Sequence, residues 1–201
     1  MRDKILEKSA EMFLNLGFKS VTMDDIANEI GASKKTIYTH FKNKTSLIDA
    51  VTSSMFCAIC DGIDLIHEQQ KNPIIELFEI KRFVMFHLKD EKSSPQYQLQ
   101  KYYPKIYGSI KQKQFEYMKE SIKENLNRGL EKKIFRKTIN TEFISRLYFN
   151  GMIGIKDKDL FPLQEFSMNE LMDNYLEYHL RGICTEKGIE ILENQLKTNQ
   201  L

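Results

Sequence analysis

Residues 31 to 46 read GASKKTIYTHFKNKTS, a stretch that holds four lysines and no acidic residue. Lys34, Lys35 and Thr36 come first, Tyr38, Thr39 and His40 follow, and Lys44 stands a little further on. Lysine donates to phosphate oxygens and to the acceptor edge of guanine, while a hydroxyl, phenol or imidazole donates to phosphate. Such a set suits a polyanion with a readable edge. Bond-breaking chemistry has no comparable set: the chain lacks a glycine-rich phosphate loop, an HExxH motif, a serine nucleophile elbow and an evident carboxylate pair. His40, His67, His87 and His179 are scattered without motif spacing, so neither catalysis, metal nor cofactor is expected.

Local sequence shows how these donors are held. Thr22 is placed to cap a helix, with Asp25 three residues on as a reciprocal partner, and Met23, Ile26, Ala27 and Ile30 form its buried face. Gly31 ends that helix and Ser33 caps the next, whose inner face is Ile37 and Phe41. A first helix over residues 2–16 buries Ile5, Leu6, Ser9, Met12, Phe13 and Leu16, and Gly17 stops it. Two short capped helices joined by a glycine turn and packed on a third make a helix-turn-helix, whose second helix is offered to the DNA major groove. Its first turn holds Lys34, Lys35 and Thr36, the positions that reach base edges in such modules. The competing reading is an ordinary solvated helix with lysines outward.

The remainder is also helical in period, with no strand-like alternation. Asn43 can cap a long helix from residue 44 to about 70, and Pro73 opens one reaching about Asp90. A polar break over residues 90–95 precedes a short helix through Tyr102, and Pro104 begins another long one. Further helices are expected near 141–155, over 168–183 and over 186–196, with a loop at 156–167. The expected architecture is all-α: an N-terminal three-helix helix-turn-helix domain, residues 1–46, and a larger C-terminal helical domain, residues 47–201.

At 201 residues and 41% hydrophobic content the chain can bury a real core. A net charge of +2 is too small to argue for nucleic acid, so that argument rests on where the lysines sit. Acidic residues among the first lysines and the lack of a long uninterrupted apolar run predict neither a signal peptide nor a membrane partner. Three cysteines make no disulfide framework, and a reducing cytoplasmic setting is expected. Cys57 and Cys60 lie three apart without a second such pair, and read as small buried hydrophobes, with a redox switch as the alternative.

The run MFLNLGFKSVTMDDIANEIGASKKTIYTHFKNKTSLIDAV resembles the N-terminal domain of the TetR (tetracycline-repressor-like) family of bacterial transcription regulators. Phe13, Gly17 and Phe18, the Thr22 cap, Ile26 and Ala27, the turn at Gly31 to Ser33, and the signature from Ile37 to Lys44 carry the likeness. The resemblance implies a homodimeric regulator, most often a repressor, that binds a palindromic double-stranded DNA operator and releases it on binding a small effector. It places Lys34, Lys35 and Thr36 at base-reading or groove-facing positions. Tyr38, Thr39, His40 and Lys44 fall at phosphate contacts, and Thr22 at the phosphate-capping position of the preceding helix. Many members carry a small residue where this chain has Lys35. A protein–protein module that keeps the helix-turn-helix as a fold alone is the further alternative.

Beyond about residue 50 the likeness is of architecture. It implies a pocket for the effector, where the aromatic cluster Phe83, Phe86, His87, Tyr102, Tyr103, Tyr107 and Tyr148 suggests an apolar or aromatic molecule. It also implies dimerisation through the last two long helices, where Leu147, Gly151, Gly154, Met172, Tyr175, Leu176 and His179 are the expected interface. Gly151 and Gly154 inside a helix cost about 1 kcal/mol each relative to alanine, and a close helix approach gives a reason to keep them. Packing of the same helices within one chain is the alternative.

Overall fold

The computed structural model describes residues 1–88, 95–162 and 164–199. Among them are ten helices and no strand; one isolated antiparallel bridge joins Phe135 and Cys184. The helices are α1 Arg2–Leu16, α2 Met23–Ile30, α3 Lys34–His40, α4 Lys44–Glu68 and α5 Pro73–Leu88. They continue with α6 Pro95–Tyr102, α7 Pro104–Glu131, α8 Thr141–Gly154, α9 Met168–Ile183 and α10 Glu186–Asn199. The protein is all-α, as its periodicity predicts. The expected end of α5 near Asp90 and most of the polar break over 90–95 lie outside the described residues, as does residue 163 of the expected loop.

Side-chain caps set the starts of the short helices. The Asp25 N–H donates to Thr22 Oγ1 at 3.1 Å while the Thr22 N–H donates to Asp25 Oδ2 at 2.8 Å, closing the reciprocal box. Gly31 ends α2 in the left-handed region, at φ 67°, where a side chain would be strained. Two residues later the Ser33 hydroxyl accepts from the Thr36 N–H at 3.1 Å. Asn43 and Ser46 cap each other in the same way ahead of α4, at 2.8 and 3.2 Å. These caps explain how helices of eight and seven residues persist, since such lengths are marginal by propensity alone.

The chain forms two compact units, Met1–Asp61 with Leu88–Gln114, and Gly62–His87 with Phe115–Leu201. This division differs from the expected boundary after residue 46, because the core around α1 to α3 continues into later helices. Ile5, Phe13, Phe18, Val21, Ile26, Ile37, Phe41, Leu47, Ile48 and Val51 are buried together with Leu99 and Ile106. Each such side chain contributes roughly 1.5–3 kcal/mol by leaving water. One expected core position differs: Leu16 is exposed, and Phe18 packs on Phe13 instead, with ring centroids 5.0 Å apart. The chain reverses at Gly17, where φ is 88°, and the residue after the turn points inward.

In the second unit one core gathers Ile74, Leu77, Phe78, Ile122, Leu126, Phe135, Tyr148, Leu176, Leu180 and Leu192, and a smaller one holds Ile155, Leu171 and Met172. Between α4, α5 and α7 lies the fully buried Glu76 carboxylate. His67 Nδ1 is 3.0 Å from it, the Asn125 amide donates to it at 2.7 Å, and Arg128 pairs with it. Burial pushes this carboxyl up, but His67, Asn125 and Arg128 outweigh burial and hold it below the usual range.

Among the described residues one helix, α4, is long and apolar enough by length and composition to cross a membrane. Its apolar side is used otherwise: Leu47, Ile48 and Val51 lie in the first core, while Asp49, Asp61 and Asp64 are exposed.

Candidate DNA-binding surface

Helix α3 is fixed from beneath by Ile37, which has no exposure, and at its end by Phe41, which follows the helix in extended backbone and is also buried. The guanidinium of Arg2 lies 5.4 Å from the Phe41 ring centroid, adding a cation beside the end of α3. With 37 and 41 inward, Lys34, Lys35, Tyr38, Thr39 and His40 are all exposed, and Thr36 is half-buried. The helical period therefore leaves Lys34, Lys35, Tyr38, Thr39 and His40 open to solvent around α3, with only the side of Ile37 covered.

Their present partners differ. Among the described residues no hydrogen bond or ion pair holds the Lys35 ammonium, the Tyr38 hydroxyl or the His40 ring. The other donors are engaged. Thr36 Oγ1 lies 2.8 Å from Ser33 Oγ, and the Thr39 hydroxyl donates to the Lys35 carbonyl at 2.9 Å. The Thr22 hydroxyl donates to Asp25 Oδ2 at 2.8 Å, so its first role is to close the cap. Thr22's own hydrogen bonds, backbone first, hold the Asp25 carboxyl below its usual value.

Lys44 is half-buried and its ammonium donates to the Lys19 carbonyl at 3.1 Å, tying the first turn of α4 to the loop between α1 and α2. Burial lowers its pKa, against a smaller opposing pull from Asp25. Lys19 in turn carries its N–H to Gln98 Oε1 at 3.1 Å and its ammonium over the Tyr102 ring at 5.0 Å. The Gln98 amide fills the space where a Gly17 side chain would lie.

Lys34 has a partner that local sequence does not suggest. Its ammonium donates to Asp24 Oδ2 of α2 at 2.7 Å, and this hydrogen bond raises its pKa. The stretch 31–46 is free of acids in sequence but not in space. Asp24, Arg2, Lys19 and Gln98 are thus the residues sequence reasoning missed at this surface. Only Arg2, a cation at the start of α1, left a local signal.

The aromatic set expected to line an effector pocket is divided between the two units. Phe83 packs on His87, with centroids 4.1 Å apart, and its ring occupies the space beside Gly62. Phe86 and His87 are exposed. Tyr103 and Tyr107 pack against the first core, and Tyr102 is exposed beside Lys19. Tyr148 belongs to the second core, with Tyr175 and His179 around it. Tyr102, Tyr103 and Tyr107 thus belong to one unit, and Phe83, Phe86, His87 and Tyr148 to the other.

The expected dimer residues also separate. Met172, Leu176 and His179 are buried within the chain's own second unit, which corrects their assignment to an intersubunit face. Gly151 is explained inside the chain as well: the Tyr175 ring occupies the place of its missing Cβ, and the Tyr175 hydroxyl donates to the Tyr148 carbonyl at 3.0 Å. Leu147 is exposed, Gly154 has open space where a side chain would lie, and Phe143 and Tyr178 are exposed on the same two helices. Cys57 is exposed and Cys60 half-buried, while burial pushes the Cys184 thiol up to about 11.

A short capped helix, held by two buried anchors and presenting lysines and a phenol to solvent after a left-handed glycine turn, defines a helix-turn-helix DNA-binding domain. The sequence pattern described as bacterial regulatory proteins, tetR family, matches residues 5–51. The biofilm operon icaADBC HTH-type negative transcriptional regulator IcaR of Staphylococcus aureus is 25% identical over 139 residues, 67% of either chain. The HTH-type transcriptional regulator YhgD of Bacillus subtilis is 41% identical over 51 residues, 25% of this chain and 27% of that one. SmeT, the repressor of the Stenotrophomonas maltophilia multidrug efflux pump SmeDEF, shares the fold, with a TM-score of 0.68 at 16% identity over 92% of this chain and 91% of that one. Residues 5–51 thus match the DNA-binding domain pattern of the tetR family of bacterial regulatory proteins, and the chain shares its fold with solved members of that family.

Proposed function

We propose that the protein is a cytoplasmic, homodimeric repressor that leaves a palindromic operator when a small apolar or aromatic effector binds. The observation that carries the DNA role is the solvent-exposed part of α3, where Lys35, Tyr38 and His40 have no hydrogen-bond or ion-pair partner among the described residues, over the buried Ile37 and Phe41. Residues 1–46 carry the DNA contacts in this reading, and residues 47–201 hold the effector site and the dimer contact. Base edges are read from Lys34, Lys35 and Thr36; phosphates are held by Tyr38, Thr39, His40 and Lys44, with Thr22 at the N-terminus of α2. The sign of regulation is supported by the roles of IcaR, a negative transcriptional regulator, and SmeT, a repressor.

For the dimer, the reading uses the exposed Phe143 and Leu147 on α8, the open space beside the half-buried Gly154, and the exposed Tyr178 on α9. A palindromic operator in this reading takes two α3 helices in successive major grooves about 34–36 Å apart. A ligand releases DNA only in so far as it binds the non-fitting dimer more tightly, because equal affinity shifts nothing.

The test is selection of duplex DNA from a random pool, followed by a salt series on the selected sequence. Two protomers bound per two-fold site, with affinity falling steeply as salt rises, is the expected result. No binding at low salt leaves the protein–protein alternative. Leu147→Glu supplies the dimer arm: sedimentation of a monomer with weakened operator binding is expected, and an unchanged dimer would move the interface elsewhere.

A further inference from the structure

The recognition helix meets an acid supplied by the preceding helix. Asp24 lies in the first turn of α2, and its Oδ2 is 2.7 Å from the Lys34 ammonium, ten residues on and in the first turn of α3. Both side chains are open to water, at 57% and 51% exposure, so the pair is held by charge and geometry and not by enclosure. Asp25, its neighbour, is committed to the Thr22 cap, which leaves Asp24 the carboxylate of α2 directed at α3. Tyr38, one helical turn beyond Lys34, also bears on its charge.

We propose that Asp24 is a specificity-determining residue: it holds the Lys34 ammonium against α2 and so withholds that cation from the phosphates of non-cognate DNA. This rests on the reading that Lys34 faces DNA. On a random duplex, Lys34 exchanges a tethered carboxylate for a phosphate, a near-even trade in water. In register on a cognate site, a base edge offers directional acceptors that a phosphate does not, and the ammonium leaves Asp24. An exposed ion pair suits this role because it is weak enough to break. The pair thereby lowers non-specific affinity more than specific affinity, which widens the ratio on which site selection depends.

The experiment is a double-mutant cycle with Asp24→Asn and Lys34→Gln, using a random-sequence duplex and a duplex selected by the wild-type protein. With Lys34 present, Asp24→Asn should tighten binding to the random duplex about two- to five-fold and steepen its salt slope by about one. Binding to the selected duplex should change much less. In the Lys34→Gln background the tightening should largely vanish. Asp24→Ser, which removes the same charge, should reproduce the result and controls for an effect peculiar to asparagine.

Equal tightening in both backgrounds would make Asp24 a general repelling charge and overturn the proposal. An Asp24→Asn protein that binds both duplexes like wild type would also overturn it. If Lys34→Gln leaves affinity and base preference on the selected duplex unchanged, Lys34 does not face DNA, and the underlying reading fails together with the proposal. If instead Lys34→Gln alters preference while the cycle is additive, only the role of Asp24 fails.

Discussion

Tyr38 and Phe41 are three residues apart and belong to different chemistries. Phe41 is buried and flanked by the Arg2 guanidinium, while Tyr38 is 44% exposed and its hydroxyl has no hydrogen-bond partner among the described residues. Tyr38→Ala should therefore leave folding nearly untouched and weaken binding to every DNA sequence by a similar factor. Titration of a selected and a random duplex checks this, and loss of preference without loss of affinity would contradict a phosphate contact. Lys44 is a less clean probe. Its bond to the Lys19 carbonyl means that Lys44→Ala would loosen the α1–α2 loop as well as remove a cation. Lysines at 34, 35 and 44 look equivalent in sequence, yet among the described residues one is paired with an acid, one has no side-chain partner and one is tied to backbone.

Among the elements, the first four helices were legible because their ends are written locally. Thr22 with Asp25, Gly31, Ser33, and Asn43 with Ser46 are short-range caps that require no knowledge of the fold. Their register was legible from 3.6-residue periodicity. The assignment of α8 and α9 to partners was not, because an apolar stripe does not say which surface covers it. Gly151 shows the difference: the close approach expected from a helical glycine exists, but the approaching group is the chain's own Tyr175. Gly151→Ala should cost about 1–3 kcal/mol by overpacking against that ring. The cost should shrink in a Tyr175→Ala background, which equilibrium unfolding in urea would reveal as coupling between the two sites. Equal costs in both backgrounds would mean the α8–α9 contact is looser than the geometry indicates.

At the scale of the whole molecule, stability carries a pH signature from His179. Its ring is buried with Tyr148 at 4.8 Å between centroids, and its Nε2 has no hydrogen-bond partner among the described residues. Burial lowers its pKa to about 4 from an ordinary 6.5. The unfolded chain then binds the proton more readily than the folded one, so this contribution is complete above about pH 6.5 and declines as pH falls towards 4. A loss of about 2 kcal/mol by pH 5 follows from one pKa unit per 1.4 kcal/mol. Thermal or urea unfolding between pH 7.5 and 5 should show it, and His179→Gln should flatten that part of the profile. An identical slope in the variant would place the dependence on other groups.

The sequence by itself determined the helical class, the caps, the two-helix reading module and the side of α3 that faces outward. These depend on interactions between residues a few positions apart, which periodicity and residue type encode directly. Only the tertiary structure decided that Asp24 meets Lys34, that Lys44 is tied to Lys19, and that Gly151, Leu176 and His179 serve the chain's own core. It also carried the first core past residue 46 to Leu99 and Ile106. Those outcomes depend on how helices cross. Crossing is fixed by the summed packing of many side chains, and no local spacing records which distant residue will fill a given gap.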